Sequence, residues 1–121
     1  MTLLIVDDSE LIRTSLLGLL QGIQGIAAVH TADSLGQAME NVRRYLPTLV
    51  ILDLHLPDGN AIQIIPSIRQ LAPEAQIAML TNDASAFNRN KCVQAGADWF
   101  FDKSTEFDEM LAMIRQQAAL N

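Results

Sequence analysis

One cysteine, one tryptophan and one tyrosine are all that these 121 residues contain of their types, and eight Lys and Arg stand against fourteen Asp and Glu. Each scarcity removes a class of protein. The lone Cys92 has no partner for an internal disulfide, so a disulfide-stapled secreted scaffold is excluded and a reduced, cytoplasmic setting is expected. Flanked by Lys91 and Val93, it reads as an ordinary helix position. No cluster of basic residues offers phosphate neutralisation, and the net charge is −6, so direct nucleic-acid binding is not expected. No apolar run approaches the thickness of a bilayer. The first run lacks a basic lead and is broken by Asp7-Asp8 after four residues, which excludes a secretory or membrane-spanning reading. Linkers, repeats and low-complexity segments are absent as well. Half of the residues are apolar, enough for one full-sized core, so residues 1–121 read as a single domain.

What the chain does have is a set of short apolar runs with polar tips. Leu3-Leu4-Ile5-Val6 leads into Asp7-Asp8, and Leu49-Val50-Ile51-Leu52 leads into Asp53. Ile77-Ala78-Met79-Leu80 ends at Thr81, and Trp99-Phe100-Phe101 stops just short of Lys103. Continuous apolar runs of this length mark strands buried on both faces, hence a parallel sheet. Helical patterns alternate with them. Ser9 caps a first helix with the stripe Ile12, Leu16, Leu19, Leu20 and Ile23, closed by Gly22 and Gly25. Ile26 to His30 is a weak second strand. Ser34 and Gln37 form a capping box for a helix carrying Leu35, Ala38, Met39, Val42 and Leu46, stopped by Pro47.

Pro57-Asp58-Gly59 is a turn, followed by a helix with Ile62, Ile65 and Ile68, in which Pro66 predicts a kink or a late start. Pro73 precedes the fourth strand. Ala84 to Ala95 is a weakly amphipathic helix closed by Gly96. Thr105 and Asp108 predict a capping box for a last helix with Phe107, Leu111, Ile114 and Ala118 inward. Five β/α units with right-handed crossovers give an α/β, doubly wound, five-stranded parallel sheet. The expected order is 2-1-3-4-5, the flavodoxin-like three-layer sandwich.

In such a sheet ligands bind beyond the carboxyl ends of the strands, and that order makes strands 1 and 3 neighbours at the switch point. Asp7, Asp8 and Asp53 then converge and repel one another unless a hard, oxygen-seeking cation such as Mg²⁺ lies between them. A single Asp after a strand is commonly a turn or cap residue. Three together, beside Thr81 and Lys103, point to phosphoryl chemistry. Charge divides the labour: Asp7 and Asp8 hold metal, and Asp53 is the nucleophile toward an activated phosphoryl group. Lys103 is a point charge for a phosphoryl or metal-bound oxygen, and Thr81 donates its hydroxyl to the same oxygens.

These residues, with Leu52-Asp53-Leu54, Pro57-Asp58-Gly59 and Ala95-Gly96-Ala97 at their spacings, make the whole chain resemble the receiver domain of two-component response regulators. The likeness is to the single-domain, chemotaxis-regulator type. The resemblance implies that Asp53 accepts a phosphoryl group from a phosphohistidine on a sensor histidine kinase or a histidine phosphotransfer protein. It implies Mg²⁺ bound by Asp8, Asp53 and the backbone carbonyl of His55, with Asp7 acting through water. It makes Phe100 the switch aromatic, moving together with Thr81 and altering a partner surface on the fourth helix, fifth strand and fifth helix. It further implies a downstream protein target or output domain, a monomer or a phosphorylation-dependent dimer, and a signalling module rather than an enzyme with its own substrate. Stand-alone receiver and excised domain of a larger regulator both remain open.

The sequence departs from that pattern at Asn82 after Thr81, Ser104 after Lys103, Ala61 where Gly is usual, and Phe100, which has no hydroxyl. None removes a charged group. A hydrolase using Asp53 as nucleophile lacks an inserted cap over its substrate. A flavodoxin would need a Gly-rich phosphate loop where Asp7-Asp8-Ser9-Glu10 stands. A pseudo-receiver would not need the intact acidic set. Two residues beyond Asp53 and Thr81, His55 and Asp83 are expected to pair across the site and restrict hydrolytic water. In the alternative, Asp83 only caps the fourth helix. Leu11 and Leu17 fall off the first helix's stripe, and Ile12 sits at its edge, either as core or as part of a docking spot for the phosphodonor.

Overall fold

A computed structural model describes residues 1–120. Strands β1 (Thr2–Val6), β2 (Ala28–Ala32), β3 (Leu49–Leu52), β4 (Gln76–Thr81) and β5 (Trp99–Asp102) form one parallel sheet in the order β2-β1-β3-β4-β5. Helices α1 (Glu10–Leu20), α2 (Leu35–Tyr45), α3 (Ile65–Leu71), α4 (Ala86–Ala95) and α5 (Phe107–Ala119) cover its two faces. Side chains alternate along each strand, so every apolar run feeds two cores. Leu4, Val6, Val50, Leu52, Ile77 and Met79 pack with α2 and α3 on one face. Leu3, Ile5, Leu49, Ile51, Ala78 and Leu80 pack with α1 and α5 on the other. Burying a side chain of this size contributes about 1.5–3 kcal/mol before the entropy of ordering it. The two cores therefore hold the sheet rigid beneath its polar edge.

The pairing register places the site. Val6 lies opposite Leu52, and the ladder runs one residue further, with Asp53 N donating to Val6 O at 2.9 Å and Asp7 N to Ala32 O at 3.0 Å. Thr81 lies opposite Asp102, and Lys103 N donates to Thr81 O at 3.0 Å. The residues that follow β1, β3 and β5 are thus still pinned by sheet hydrogen bonds.

Most helix ends follow the sequence. Ser9 accepts from Ile12 N, Ser34 from Gln37 N, and Gly96 closes α4 with φ 116. Pro66 delays α3: Asn60 caps a 3₁₀ turn over Ala61–Ile64, and the α-helix starts only at Ile65. Other expectations fail for physical reasons. Leu19 is 44% exposed, because α1 packs through the i, i+4 row Ile12–Leu16–Leu20 and Leu19 sits about 60° off it. Leu46 is also exposed, since as the α2 cap it adopts a left-handed φ of 46 and turns away before Pro47. The second strand begins two residues late because Gly25 and Ile26 are taken up in a turn, with Ile26 N donating to Ile23 O. The Thr105–Asp108 capping box does not form. Asp102 O accepts from both Thr105 N and Glu106 N, so Glu106 becomes the residue before α5, and its carboxylate turns back to Asp102 N.

Candidate functional site

At the carboxyl edge, carboxylate oxygens of Asp7, Asp8 and Asp53 lie within 4.8 Å of one another. Asp7 and Asp53 are buried and Asp8 is exposed. Lys103 joins the two buried ones: its Nζ is 2.7 Å from Asp7 Oδ2 and 3.1 Å from Asp53 Oδ2. The remaining oxygens of both residues are taken by the backbone, Asp7 Oδ1 accepting from Ser9 N and Asp53 Oδ1 from Leu54 N. Asp8 has no hydrogen-bonding partner for its carboxylate among the described residues. Three carboxylates and no soft ligand make an all-oxygen donor set, which suits a hard divalent cation such as Mg²⁺.

The charges are unevenly settled. Burial pushes the Asp53 carboxyl above its ordinary value, the Lys103 ammonium pulls it back, and the Asp7 charge pushes it up again; the net shift is upward. For Lys103 burial works downward, but the bond to Asp7 and the charges of Asp53 and Asp7 outweigh it, so the ammonium is held more firmly charged. One lysine faces two buried carboxylates, so the site without a cation carries uncompensated negative charge.

Asp53 opens onto a cleft also lined by His55, Thr81, Asn82, Asp83 and Lys103. Thr81 is buried, and its Oγ1 accepts from Asp83 N at 3.1 Å. His55 Nε2 and Asp83 Oδ2, both exposed, are 2.6 Å apart. His55 stands two residues beyond Asp53 and Asp83 two residues beyond Thr81. Asp83 does not cap α4; Ser85 does, accepting from Asn88 N. The hydrogen bond from His55 holds the Asp83 carboxyl below its ordinary value. Phe100 lies outside the cleft, turned into the core on the α4 side with the Arg89 guanidinium 4.9 Å above its ring. Leu11, beside the acidic pair on α1, is 74% exposed, while Ile12 is half-buried against the core. Cys92 is buried in the core and burial pushes its thiol up, as for an inert packing residue.

Two neighbours of the site gave no local signal in the sequence. Arg13 Nη1 donates to the carbonyl of Asp7 at 2.6 Å. Asp58 reads only as a turn residue, yet its carboxylate accepts from Leu35 N at 2.8 Å and Gly36 N at 3.0 Å, tying the loop after β3 to the start of α2. Those two bonds hold the Asp58 carboxyl below its ordinary value.

Comparison with known proteins gives the family. Residues 3–115 match the response regulator receiver domain, and the chain belongs to that family. It is similar to the DNA-binding transcriptional activator DevR/DosR of Mycobacterium tuberculosis, 29% identical over 95% of this chain and 53% of that protein. Among solved structures it resembles a LuxR-family two-component response regulator from Aurantimonas sp. SI85-9A1. There the TM-score is 0.86 at 29% identity, covering 98% of this chain and 84% of that one. A response regulator from Burkholderia pseudomallei, solved with a phosphorylated aspartic acid, calcium ion and citrate, gives a TM-score of 0.80 at 27% identity over 98% and 68%. The chain spans about half the length of the curated relatives it matches. No described helix is long and apolar enough to cross a membrane.

The raised Asp53 carboxyl has a sign that can be tested. An acid whose folded pKa is raised opposes folding when ionised; the penalty is absent below the unfolded value of about 3.8 and grows as pH rises through the folded pKa. Without divalent cations at neutral pH, Asp53→Asn is therefore expected to melt at or above the wild-type temperature, with the gap closing on acidification. A variant that melts well below wild type under those conditions contradicts the charge assignment.

Proposed function

We propose that this domain is a phosphoacceptor switch of a two-component or phosphorelay system, in which Asp53 takes a phosphoryl group from a phosphohistidine. The observation that carries the reading is the Asp53 carboxylate at the cleft, with Lys103 at 3.1 Å and Asp7 and Asp8 within 4.8 Å. An Asp53 oxygen forms the new bond to phosphorus, the phosphorus–nitrogen bond breaks, and the departing imidazole keeps the electron pair and takes up one proton. A Mg²⁺ held by Asp8, Asp53 and the backbone carbonyl of His55, with Asp7 through water, would neutralise charge on the phosphoryl oxygens. Lys103 leaves its shared position between Asp7 and Asp53 to meet a phosphoryl oxygen, and the Thr81 hydroxyl donates to another. The domain promotes its own phosphoryl transfer and dephosphorylation and turns over no separate substrate.

Thr81 and Phe100 then shift together. Arg89 lies over the Phe100 ring and is 3.5 Å from Glu106, so the shift would reach α4 and the start of α5. The phosphodonor is a sensor histidine kinase or a histidine phosphotransfer protein. It docks beside the acidic pair, where Leu11 rather than the half-buried Ile12 offers apolar surface. The altered face of α4, β5 and α5 engages a downstream protein or output domain, as a monomer or a phosphorylation-dependent dimer. The domain itself touches no nucleic acid and works in the cytoplasm.

The direct test is incorporation of acid-labile phosphate from a small phosphodonor with Mg²⁺. Wild type is expected to label and Asp53→Asn to stay unlabelled, since a near-isosteric amide cannot attack phosphorus. Labelling of the variant at the wild-type level refutes the assignment.

The lifetime of the phosphorylated state is governed by His55 and Asp83. Their 2.6 Å contact supports this reading: it would restrict water approaching phosphorus in line, and Asn82, lining the same cleft, would crowd that entrance. His55→Ala and Asp83→Ala are each expected to speed loss of phosphate, and the double variant to be no faster than the faster single one. Unchanged rates in both single variants remove the gate.

A further inference from the structure

Of the three carboxylates at the site, two are held by their own side-chain bonds and one is not. Asp7 is fixed through Ser9 N and Lys103, and Asp53 through Leu54 N and Lys103. Asp8 is exposed, and its carboxylate has no partner among the described residues. No side-chain contact positions it, so its placement depends first on the peptide plane joining Asp7 to Asp8. The carbonyl of that peptide accepts a 2.6 Å hydrogen bond from Arg13 Nη1. Arg13 is firmly placed to give it. Its own N–H donates to Ser9 O, its side chain is half-buried, and its helix is anchored by Leu16 and Leu20 in the core. In a chain with six surplus negative charges, Arg13 makes no ion pair among the described residues and spends its guanidinium on this carbonyl instead.

We propose that Arg13 is a positioning residue for the divalent-cation site: by fixing the Asp7–Asp8 peptide it aims the otherwise free Asp8 carboxylate at the cation. This deepens the phosphoacceptor reading and rests on it, because it takes the acidic cluster to be a Mg²⁺ site. Partners that orient a metal ligand from outside typically change affinity by about 10–100-fold when removed. Charge alone predicts the opposite sign. A guanidinium near a divalent cation repels it, so deleting Arg13 would tighten binding if its charge were what mattered. The two roles are therefore separable by the direction of a single change.

The experiment is calorimetric titration of Mg²⁺ alone into the unphosphorylated chain, for wild type, Arg13→Met and Arg13→Lys, with thermal melts of the metal-free proteins as the folding control. Arg13→Met is expected to bind Mg²⁺ about tenfold more weakly than wild type. Arg13→Lys keeps the charge and one donor and should recover most of that loss. Should Arg13→Met melt too low to titrate, Arg13→Gln takes its place as the neutral variant, with the same tenfold weakening expected. Binding by the neutral variant that is equal to or tighter than wild type overturns the proposal, as does an Arg13→Lys variant no better than the neutral one. Both leave the phosphoacceptor reading standing. Failure of wild type itself to bind Mg²⁺ overturns the proposal together with the metal site beneath it.

Discussion

The repulsion among Asp7, Asp8 and Asp53 is the constraint around which the rest of this molecule is organised. Three like charges within 4.8 Å would drive a flexible loop apart. Here they cannot separate, because β1 and β3 are adjacent, in register, and buried on both faces. Sheet hydrogen bonds reach past the strand ends to Asp7 N and Asp53 N, so the backbone cannot relax either. The cores thus hold charge in a strained arrangement, and Lys103 compensates only part of it. A site in that condition suits a hard cation, which the proposed phosphoryl transfer would use.

The same arrangement gives the proposed switch a route away from the site. Lys103 follows β5, Thr81 ends β4, and Phe100 lies two residues before Asp102, which pairs with Thr81. In the proposed switch, a pull on Lys103 and Thr81 toward new oxygens would act on β5, which carries Phe100, and on β4 beside it. Arg89 spans from α4 to the Phe100 ring and to Glu106 at the head of α5. Close packing along such a path would pass small shifts on rather than absorb them.

The fold was legible because its signals were local and redundant. Runs such as Leu49 to Leu52 are apolar on both faces, and four of them alternating with helical patterns point to a buried parallel sheet. The convergence of Asp7, Asp8, Asp53, Thr81 and Lys103 followed from strand order alone. The pairing of His55 with Asp83 was expected from their places two residues after Asp53 and two after Thr81. The failures were decided by neighbours distant in sequence or by competing caps. Leu19 left the core because the sheet accepts only one row of α1, and Thr105 lost its cap because Asp102 O captured the turn. The bonds from Asp58 to α2, 22 and 23 residues away, and from Arg13 to the Asp7 carbonyl depend on the assembled loop. No periodicity announces them.

The claim that the acidic cluster is a cation site held against its own repulsion is tested most directly by thermal melting with and without millimolar Mg²⁺. A ligand that binds the folded site and not the unfolded chain raises the melting temperature. Wild type is therefore predicted to melt higher with Mg²⁺, and Asp8→Ala to lose most of that shift. No shift in wild type, or an equal shift in Asp8→Ala, contradicts the account.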